Sequence, residues 1–198
     1  MKLAIMGGTF NPIHIGHLVC AEEAAGQFAF DEVLFMPAGL PPHKEVEGGT
    51  SAEARYHMTV LATEDNSRFR VSRYEIDRGD CCYTVDTVRH FHEEMPDAEI
   101  FFITGADSVL EILDWKDPEE ILQMATLIGA TRPGYPLDRF AEQSDLIRQG
   151  RVRIMEIPAI GVSSTMIRQR VDQGRSIRYL VTESVRKFIE QERLYRTR

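Results

Sequence analysis

The most constraining stretch of this chain lies near its start, where residues 2–18 read KLAIMGGTFNPIHIGHL. The apolar run at residues 3–6 predicts a buried parallel strand, and Gly7 and Gly8 allow a sharp turn after it. A helical pattern follows and begins near His14. A strand, a glycine turn and a helix in this order present unpaired backbone N–H groups and the positive end of a helix dipole, which together favour bound phosphate.

Two histidines mark the start of this predicted helix. His14 and His17 are three residues apart, so their imidazoles share one face of the first turn. A single helical histidine is usually solvated or satisfied by its neighbours. A pair separated by Gly16, directly after a strand and a glycine turn, is uncommon for packing alone, and we predict that both rings face a bound anion.

The composition limits the class of protein. With 43% hydrophobic and 27% charged residues, the chain fits a single domain over residues 1–198, with a core at about 1–160 and a helical part at about 161–198. A net charge of -8 argues against a broad nucleic-acid-binding surface, which needs a dense field of Lys and Arg. The sequence shows neither a transmembrane run nor a signal-peptide pattern, so we expect a cytoplasmic protein without a membrane partner.

Strand and helix patterns alternate along the chain, which predicts an α/β fold with a parallel sheet. Apolar runs predict strands at residues 3–6, 32–37, 69–76, 99–104, 127–130 and 152–157. Periodicity predicts helices at residues 84–94 and 137–149, and a capping box of Thr50 with Glu53 predicts the start of another. On that helix, Arg55 is either a solvated charge or an inward structural partner.

Three further stretches follow predicted strands. The loop at residues 38–49 carries Pro42-His43-Lys44 and is either a functional loop or a surface loop with an incidental basic pair. Asp107 follows a central strand, where a carboxylate accepts ribose hydroxyls or caps the next helix. Trp115, the only tryptophan, is either core or a stacking platform.

A second anion site is predicted late in the chain. Two serines, a threonine and, one turn later, an arginine stand at a helix start, namely Ser163, Ser164, Thr165 and Arg168. Ordinary N-capping with a solvated arginine is the alternative, and it would be preferred if this segment stood alone. Together with the histidine pair, the segment indicates a phosphate site.

Residues 8–17, GTFNPIHIGH, resemble the G-x-F-x-P-x-H-x-G-H signature of nucleotidyltransferases, whose HxGH core is shared with class I aminoacyl-tRNA synthetases. More widely, the chain resembles the bacterial nicotinate-mononucleotide adenylyltransferase family over essentially its full length. The segments that carry this resemblance, in order, are GGTFNPIHIGH, PPHK, YTVDT, GAD followed by Trp115, TRPG, and SSTMIR with the later YLV.

The resemblance implies a Rossmann-like open parallel sheet of the nucleotidyltransferase type, with helices on both faces and a helical C-terminal segment. It implies that ATP and nicotinate mononucleotide are joined into deamido-NAD with release of pyrophosphate, and that Mg²⁺ travels with ATP without ligands from protein side chains. Whether the chain forms a homo-oligomer stays open.

The resemblance also implies roles for individual residues. His14, His17 and Arg168 would be catalytic. The ATP site would comprise Gly7, Gly8, Thr9, Phe10, His14, His17, Gly105, Asp107, Ser163, Ser164, Thr165 and Arg168. The mononucleotide would be bound by His43 and Lys44 at its phosphate, by Thr84 at the pyridine carboxylate and by Trp115 at the ring. Asn11 stands where that family often has Asp, and Cys82 where it usually has Ser.

Several other functions compete with that of a nicotinate-mononucleotide adenylyltransferase. Pantetheine-phosphate adenylyltransferases and cytidylyltransferases share the HxGH signature, but the TVDT, Trp115 and SSTMIR features argue against both. A class I synthetase would need a KMSKS-like segment, which the sequence lacks. A nucleotide-binding regulator without catalysis is the alternative from a different class.

Overall fold

The structure, a computed structural model, describes residues 1–40, 50–140 and 143–196, apart from the side chain of Leu137. Its six strands form one sheet with the order β3-β2-β1-β4-β5-β6. The strands are β1 (Lys2–Gly8), β2 (Glu32–Pro37), β3 (Phe69–Val71), β4 (Glu99–Gly105), β5 (Ala125–Thr131) and β6 (Val152–Glu156). The pairs β1–β4, β4–β5 and β5–β6 are parallel, and this strand order is that of Rossmann-like doubly wound folds. The implied Rossmann-like sheet is therefore confirmed.

Helices connect most of the strands. In the described part of the chain they are α1 (Ile15–Phe28), α2 (Ala52–Thr63), α3 (Tyr74–Arg78), α4 (Thr84–Glu94), α5 (Ala106–Leu110), α6 (Pro118–Met124), α7 (Ser144–Arg148), α8 (Ser164–Asp172) and α9 (Glu183–Gln191). Short 3₁₀ turns lie at Ile112–Asp114 and Leu137–Phe140. None of the helices in these ranges is long and apolar enough to span a membrane.

Three local predictions are wrong. The strand predicted at 69–76 ends at Val71, because the Ser72 hydroxyl accepts the Tyr74 N–H and turns the backbone into α3. The helix predicted at 137–149 lacks a continuous apolar stripe, and its described part consists of a 3₁₀ turn and α7. Ser51, rather than Thr50, caps α2, since its side chain accepts the Ala54 N–H.

The chain forms two compact units, each built from three segments. The first unit comprises Met1–Gly7, Cys20–Leu34 and Tyr83–Ala159, and the second comprises Gly8–Val19, Phe35–Cys82 and Ile160–Arg198. Fully buried apolar side chains from β4 and β5, such as Phe101, Ile103 and Leu127, fill the core of the first unit. Ile13, Met36, Met58 and Ile167 do so in the second.

Candidate functional site

The histidine loop, which we define as residues 8–17, belongs to the second unit and connects β1 to α1. Phe10 has a left-handed backbone (φ 47°) and a buried ring. That ring meets the His17 ring edge-on, with centroids 5.1 Å apart, and it also contacts Phe35. Apolar packing on Phe10 therefore fixes the plane of one of the two predicted catalytic imidazoles.

The two imidazoles are stacked and neutral. The rings of His14 and His17 lie with centroids 3.6 Å apart and an interplanar angle of 16°. Burial lowers the pKa of His14 to about 4, and burial together with the neighbouring His14 lowers the pKa of His17 to about 3. At neutral pH the pair therefore offers N–H groups instead of positive charge.

One ring nitrogen of His17 already has a partner. The backbone N–H of His14 donates to His17 Nδ1 over 3.2 Å. In a neutral ring the proton then resides on Nε2, which makes Nε2 the donor. The backbone N–H of Ile15 donates to the Leu180 carbonyl over 3.0 Å. The start of α1 thus offers fewer unpaired amides than the sequence predicts. More of the predicted anion binding would then depend on the imidazole side chains.

Gly16 is required by close packing. A Cβ at this position would lie 3.1 Å from His14 Nδ1 and 3.1 Å from Val162 Cγ1, which is tighter than ordinary van der Waals contact. The glycine between the two histidines therefore lets the His14 ring and the residues before α8 approach the helix. His14 Nδ1 is buried and has no hydrogen-bond partner within the described ranges.

The start of α8 contacts the histidine loop directly. Ser163 caps the helix through the Met166 N–H, whereas the Ser164 hydroxyl donates to the Pro12 carbonyl over 2.9 Å. Arg168 donates through Nη1 to the Asn11 carbonyl over 2.9 Å and through Nη2 to Thr165 Oγ1. Capping and loop binding therefore coexist, and this segment is in direct contact with the histidine loop.

Two residues without a predicted role at the site also bind this loop. Arg55 is fully buried and donates through Nη1 to the Thr9 carbonyl over 2.8 Å and through Nη2 to the Gly39 carbonyl over 2.9 Å. Arg55 is predicted from the sequence to be either a solvated charge or an inward structural partner, and the second prediction is confirmed. Tyr195 is buried near the end of the chain, and its hydroxyl donates to Asn11 Oδ1 over 2.8 Å. No pattern in the sequence marks Tyr195.

In the first unit, the carboxyl end of β4 carries the predicted ribose site. Gly105 holds the N-cap position of α5, so Asp107 lies within the first turn of that helix and the N-cap reading of Asp107 is wrong. Asp107 is exposed, and its Oδ1 accepts the Tyr135 hydroxyl over 2.6 Å and Arg139 Nη1 over 3.1 Å. Its carboxylate is thus accessible but already holds two donors.

The first unit also contains the predicted pyridine residues. Thr84 is the first residue of α4, and Trp115 is half-buried with its ring edge-on to Phe102 at 6.2 Å. The Lys116 ammonium lies 4.5 Å from the centroid of the Tyr83 ring, directly before Thr84. The remaining two predicted substrate residues, His43 and Lys44, lie outside the described residues.

The first strand of this Rossmann-like sheet leads into a loop that carries two neutral, stacked imidazoles. This arrangement is typical of nucleotide-binding proteins of the nucleotidyltransferase class. Consistent with this class, residues 5–170 match the cytidylyltransferase-like family. A protein of Moorella thermoacetica named probable nicotinate-nucleotide adenylyltransferase is 49% identical, covering 100% of this chain and 93% of its own. A relative of the same name from Streptomyces coelicolor is also 49% identical, covering 96% and 99%.

Solved structures agree in fold. A Plasmodium falciparum nicotinic acid mononucleotide adenylyltransferase complexed with NaAD superimposes with a TM-score of 0.80 at 18% identity, covering 98% of this chain and 97% of its own. The same Plasmodium protein complexed with APC gives a TM-score of 0.79. The chain therefore belongs to the cytidylyltransferase-like family, in which its sequence relatives are the bacterial nicotinate-nucleotide adenylyltransferases.

Proposed function

We propose that this protein transfers the adenylyl group of ATP to nicotinate mononucleotide, giving deamido-NAD and pyrophosphate, in the cytoplasm. The observation that carries the proposal is the stacked, neutral pair of His14 and His17. It stands in a chain 49% identical to relatives named for this activity. ATP and nicotinate mononucleotide are the proposed partners.

In this proposal the ATP phosphates bind to the histidine loop and the start of α8, and the ribose binds to Gly105 and Asp107. His14, His17 and Arg168 donate N–H groups to the α-phosphate and to the leaving pyrophosphate. The pyridine ring stacks on Trp115, and its carboxylate meets the backbone at Thr84. His43 and Lys44 would bind the phosphate of the mononucleotide.

The chemistry needs no general base. The attacking oxygen belongs to a phosphate monoester, which is largely dianionic at neutral pH because its second pKa is about 6. A bond forms between this oxygen and the α-phosphorus while the bond from the α-phosphorus to the pyrophosphate oxygen breaks. Charge builds up on the α-phosphate and the leaving group, so catalysis consists of positioning and of oriented donors. Neutral imidazoles suit this role, and in His17 the proton lies on Nε2.

The donor set also fits a metal that arrives with the nucleotide. Imidazole and guanidinium N–H groups bind phosphate oxygens, whereas Mg²⁺ prefers oxygen ligands. We therefore expect Mg²⁺ to be held mainly by the triphosphate and to enter as part of the substrate, where it supplies neutralising charge.

The test is pyrophosphate release from Mg-ATP with three acceptors in parallel, namely nicotinate mononucleotide, nicotinamide mononucleotide and phosphopantetheine. We expect strong preference for nicotinate mononucleotide. Equal turnover of the nicotinamide form would overturn the assignment of nicotinate, and turnover of phosphopantetheine would redirect the activity to coenzyme A synthesis. Silence with all three acceptors would favour the non-catalytic regulator.

A further inference from the structure

The histidine loop is held by side chains of residues that lie far away in the sequence. Four acceptors within residues 9–12 each receive a side-chain hydrogen bond. These are Thr9 O from Arg55, Asn11 O from Arg168, Pro12 O from Ser164 and Asn11 Oδ1 from Tyr195, at 2.8, 2.9, 2.9 and 2.8 Å. Two of the four donors, Arg55 and Tyr195, have no role in the reaction proposed above.

Arg55 is an unusual residue to bury for packing alone. Its side chain is 0% exposed, and no carboxylate forms an ion pair with it in the described ranges. Burial lowers its pKa, although the nearby Glu75 opposes this effect. Removing a guanidinium from water is unfavourable unless its N–H groups find acceptors. Nη1 and Nη2 bind two backbone carbonyls, whereas the buried Nε has no partner within the described ranges. The guanidinium therefore serves mainly to hold backbone.

The two carbonyls follow neighbouring strands of the sheet. Thr9 comes directly after β1, and Gly39 comes shortly after β2. The Ala38 N–H donates to the Gly8 carbonyl over 2.9 Å and ties the same two segments. A Cβ on Gly39 would lie 2.1 Å from the Glu75 carbonyl, so the backbone at Gly39 is closely packed. Arg55 therefore ties Thr9 to a fixed point.

Tyr195 contacts the loop two residues after Thr9, at Asn11. It is buried, it has a left-handed backbone with φ 62°, and its hydroxyl also lies 4.0 Å from Met58 Sδ. A non-glycine residue in this conformation needs surrounding structure to hold it. Its bond to Asn11 Oδ1 spans 184 positions of the sequence, so the end of the described chain is connected to the loop beside the histidines.

We propose that Arg55 and Tyr195 are positioning residues for the phosphate-binding face of the histidine loop. In a trans peptide the N–H points opposite to the C=O. Since Arg55 binds the Thr9 carbonyl, the N–H of Phe10 points away from the Arg55 guanidinium. Arg55 thus orients the Thr9–Phe10 peptide directly, and Tyr195 holds the Asn11 side chain next to it. Under the proposed function, on which this inference rests, this part of the loop meets the ATP phosphates.

Three variants test the proposal, with a matched control. Tyr195→Phe removes one hydroxyl and keeps the ring, and Arg55→Lys keeps the charge but cannot span two carbonyls as a planar fork can. Arg55→Met removes the charge at similar volume. Thr63→Val is the control, because Thr63 is a buried residue of the same helix as Arg55 whose hydroxyl bonds only to carbonyls within that helix.

The measurements are ATP affinity by calorimetry, kcat and KM separately, melting temperature, and amide hydrogen exchange at residues 9–17. We expect Tyr195→Phe to weaken ATP binding roughly fivefold, as the loss of one hydrogen bond does. Arg55→Met should lower kcat/KM roughly a hundredfold, because small misplacements of a binding loop have large effects on rate. Amide hydrogen exchange in the loop should become faster in all three variants. The ATP affinity of Arg55→Lys should stay below that of the wild-type chain.

The control should lose melting temperature and keep ATP affinity. The proposal is overturned if Tyr195→Phe and Arg55→Lys behave like the control, with wild-type ATP affinity and loop exchange. These two variants decide the question even if Arg55→Met does not fold. If the wild-type protein binds ATP but does not use nicotinate mononucleotide, the proposed function fails, while ATP affinity and exchange still decide the role of Arg55 and Tyr195.

Discussion

The imidazoles of His14 and His17 lie stacked, with ring centroids 3.6 Å apart. Two protonated rings at this distance would repel one another, whereas two neutral rings do not. Burial keeps both neutral, with the pKa of His14 at about 4 and that of His17 at about 3. Under the proposed function the two rings would therefore meet ATP as hydrogen-bond donors whose charge can change once the triphosphate is bound.

Acid should destabilise the protein through this pair. In the unfolded chain both histidines take up a proton near pH 6.5, whereas in the native state they stay neutral until about pH 4 and about pH 3. The unfolded state thus binds more protons as the pH falls below 6.5, and the free energy of unfolding decreases. Each histidine should contribute a loss of roughly 2 kcal/mol between pH 7.5 and pH 5.

Urea unfolding of the wild-type chain and of His14→Gln/His17→Asn at the two pH values measures this effect. The double variant should lose clearly less stability on acidification than the wild-type chain. Equal losses in both proteins would show that the two histidines are not neutral in the native state.

ATP binding should raise the pKa of both histidines, because a triphosphate places negative charge beside them. At pH 5 binding should therefore be accompanied by net proton uptake, whereas at pH 8 the histidines should take up none. Calorimetric titrations with Mg-ATP in two buffers of different ionisation enthalpy give the proton count. His17→Asn should take up fewer protons at pH 5, and an unchanged count would exclude contact between the imidazole and the phosphates.

Gly16→Ala should reduce activity without unfolding the protein. The added Cβ would crowd His14 Nδ1 and Val162 Cγ1 at 3.1 Å each, so the His14 ring has to shift. We expect a roughly tenfold lower kcat/KM. Gly26→Ala is the matched control on the same helix, where a Cβ meets nothing within 4 Å. It should keep full activity and stabilise the chain by roughly 0.5–1 kcal/mol, and similar activity of the two variants would refute the packing argument.

Tyr135→Phe should strengthen ATP binding. The Tyr135 hydroxyl donates to Asp107 Oδ1 over 2.6 Å, so ribose hydroxyls must compete with it for the carboxylate. Removing this competitor should lower the dissociation constant of ATP roughly fivefold, the value of one ordinary hydrogen bond. Tyr74→Phe, which removes a comparable exposed hydroxyl hydrogen-bonded to Arg78, serves as the control. Weaker binding in Tyr135→Phe would mean that Tyr135 orients Asp107 instead of competing for it.

The sheet was predictable because long apolar runs bounded by glycine and proline leave few alternatives. The run at 99–104 becomes β4, and helix α4 occupies the predicted residues 84–94. Short or weakly periodic segments were not predictable. At residues 72–74 a single serine hydroxyl redirects the backbone, and such local competition leaves no periodic signal.

The residues of the candidate site also fall into a predictable and an unpredictable group. Motif spacing identified His14, His17 and the start of α8, because the spacing of nearby residues on a turn or a helix determines which side chains lie together. The contacts of Arg55 and Tyr195 arise from tertiary packing between distant segments, which sequence spacing does not encode. The neutral state of the histidines also depends on burial, and it appears only when the surroundings of each ring are known.

The most direct test of the account is mass-spectrometric detection of the dinucleotide formed from Mg-ATP and nicotinate mononucleotide by the wild-type chain and by His17→Ala. We expect deamido-NAD and pyrophosphate in equal amounts from the wild-type chain. His17→Ala should form them roughly a hundredfold more slowly, as loss of one oriented donor does elsewhere, with a normal far-UV spectrum. An unchanged rate in His17→Ala, or no dinucleotide from the wild-type chain, would contradict it.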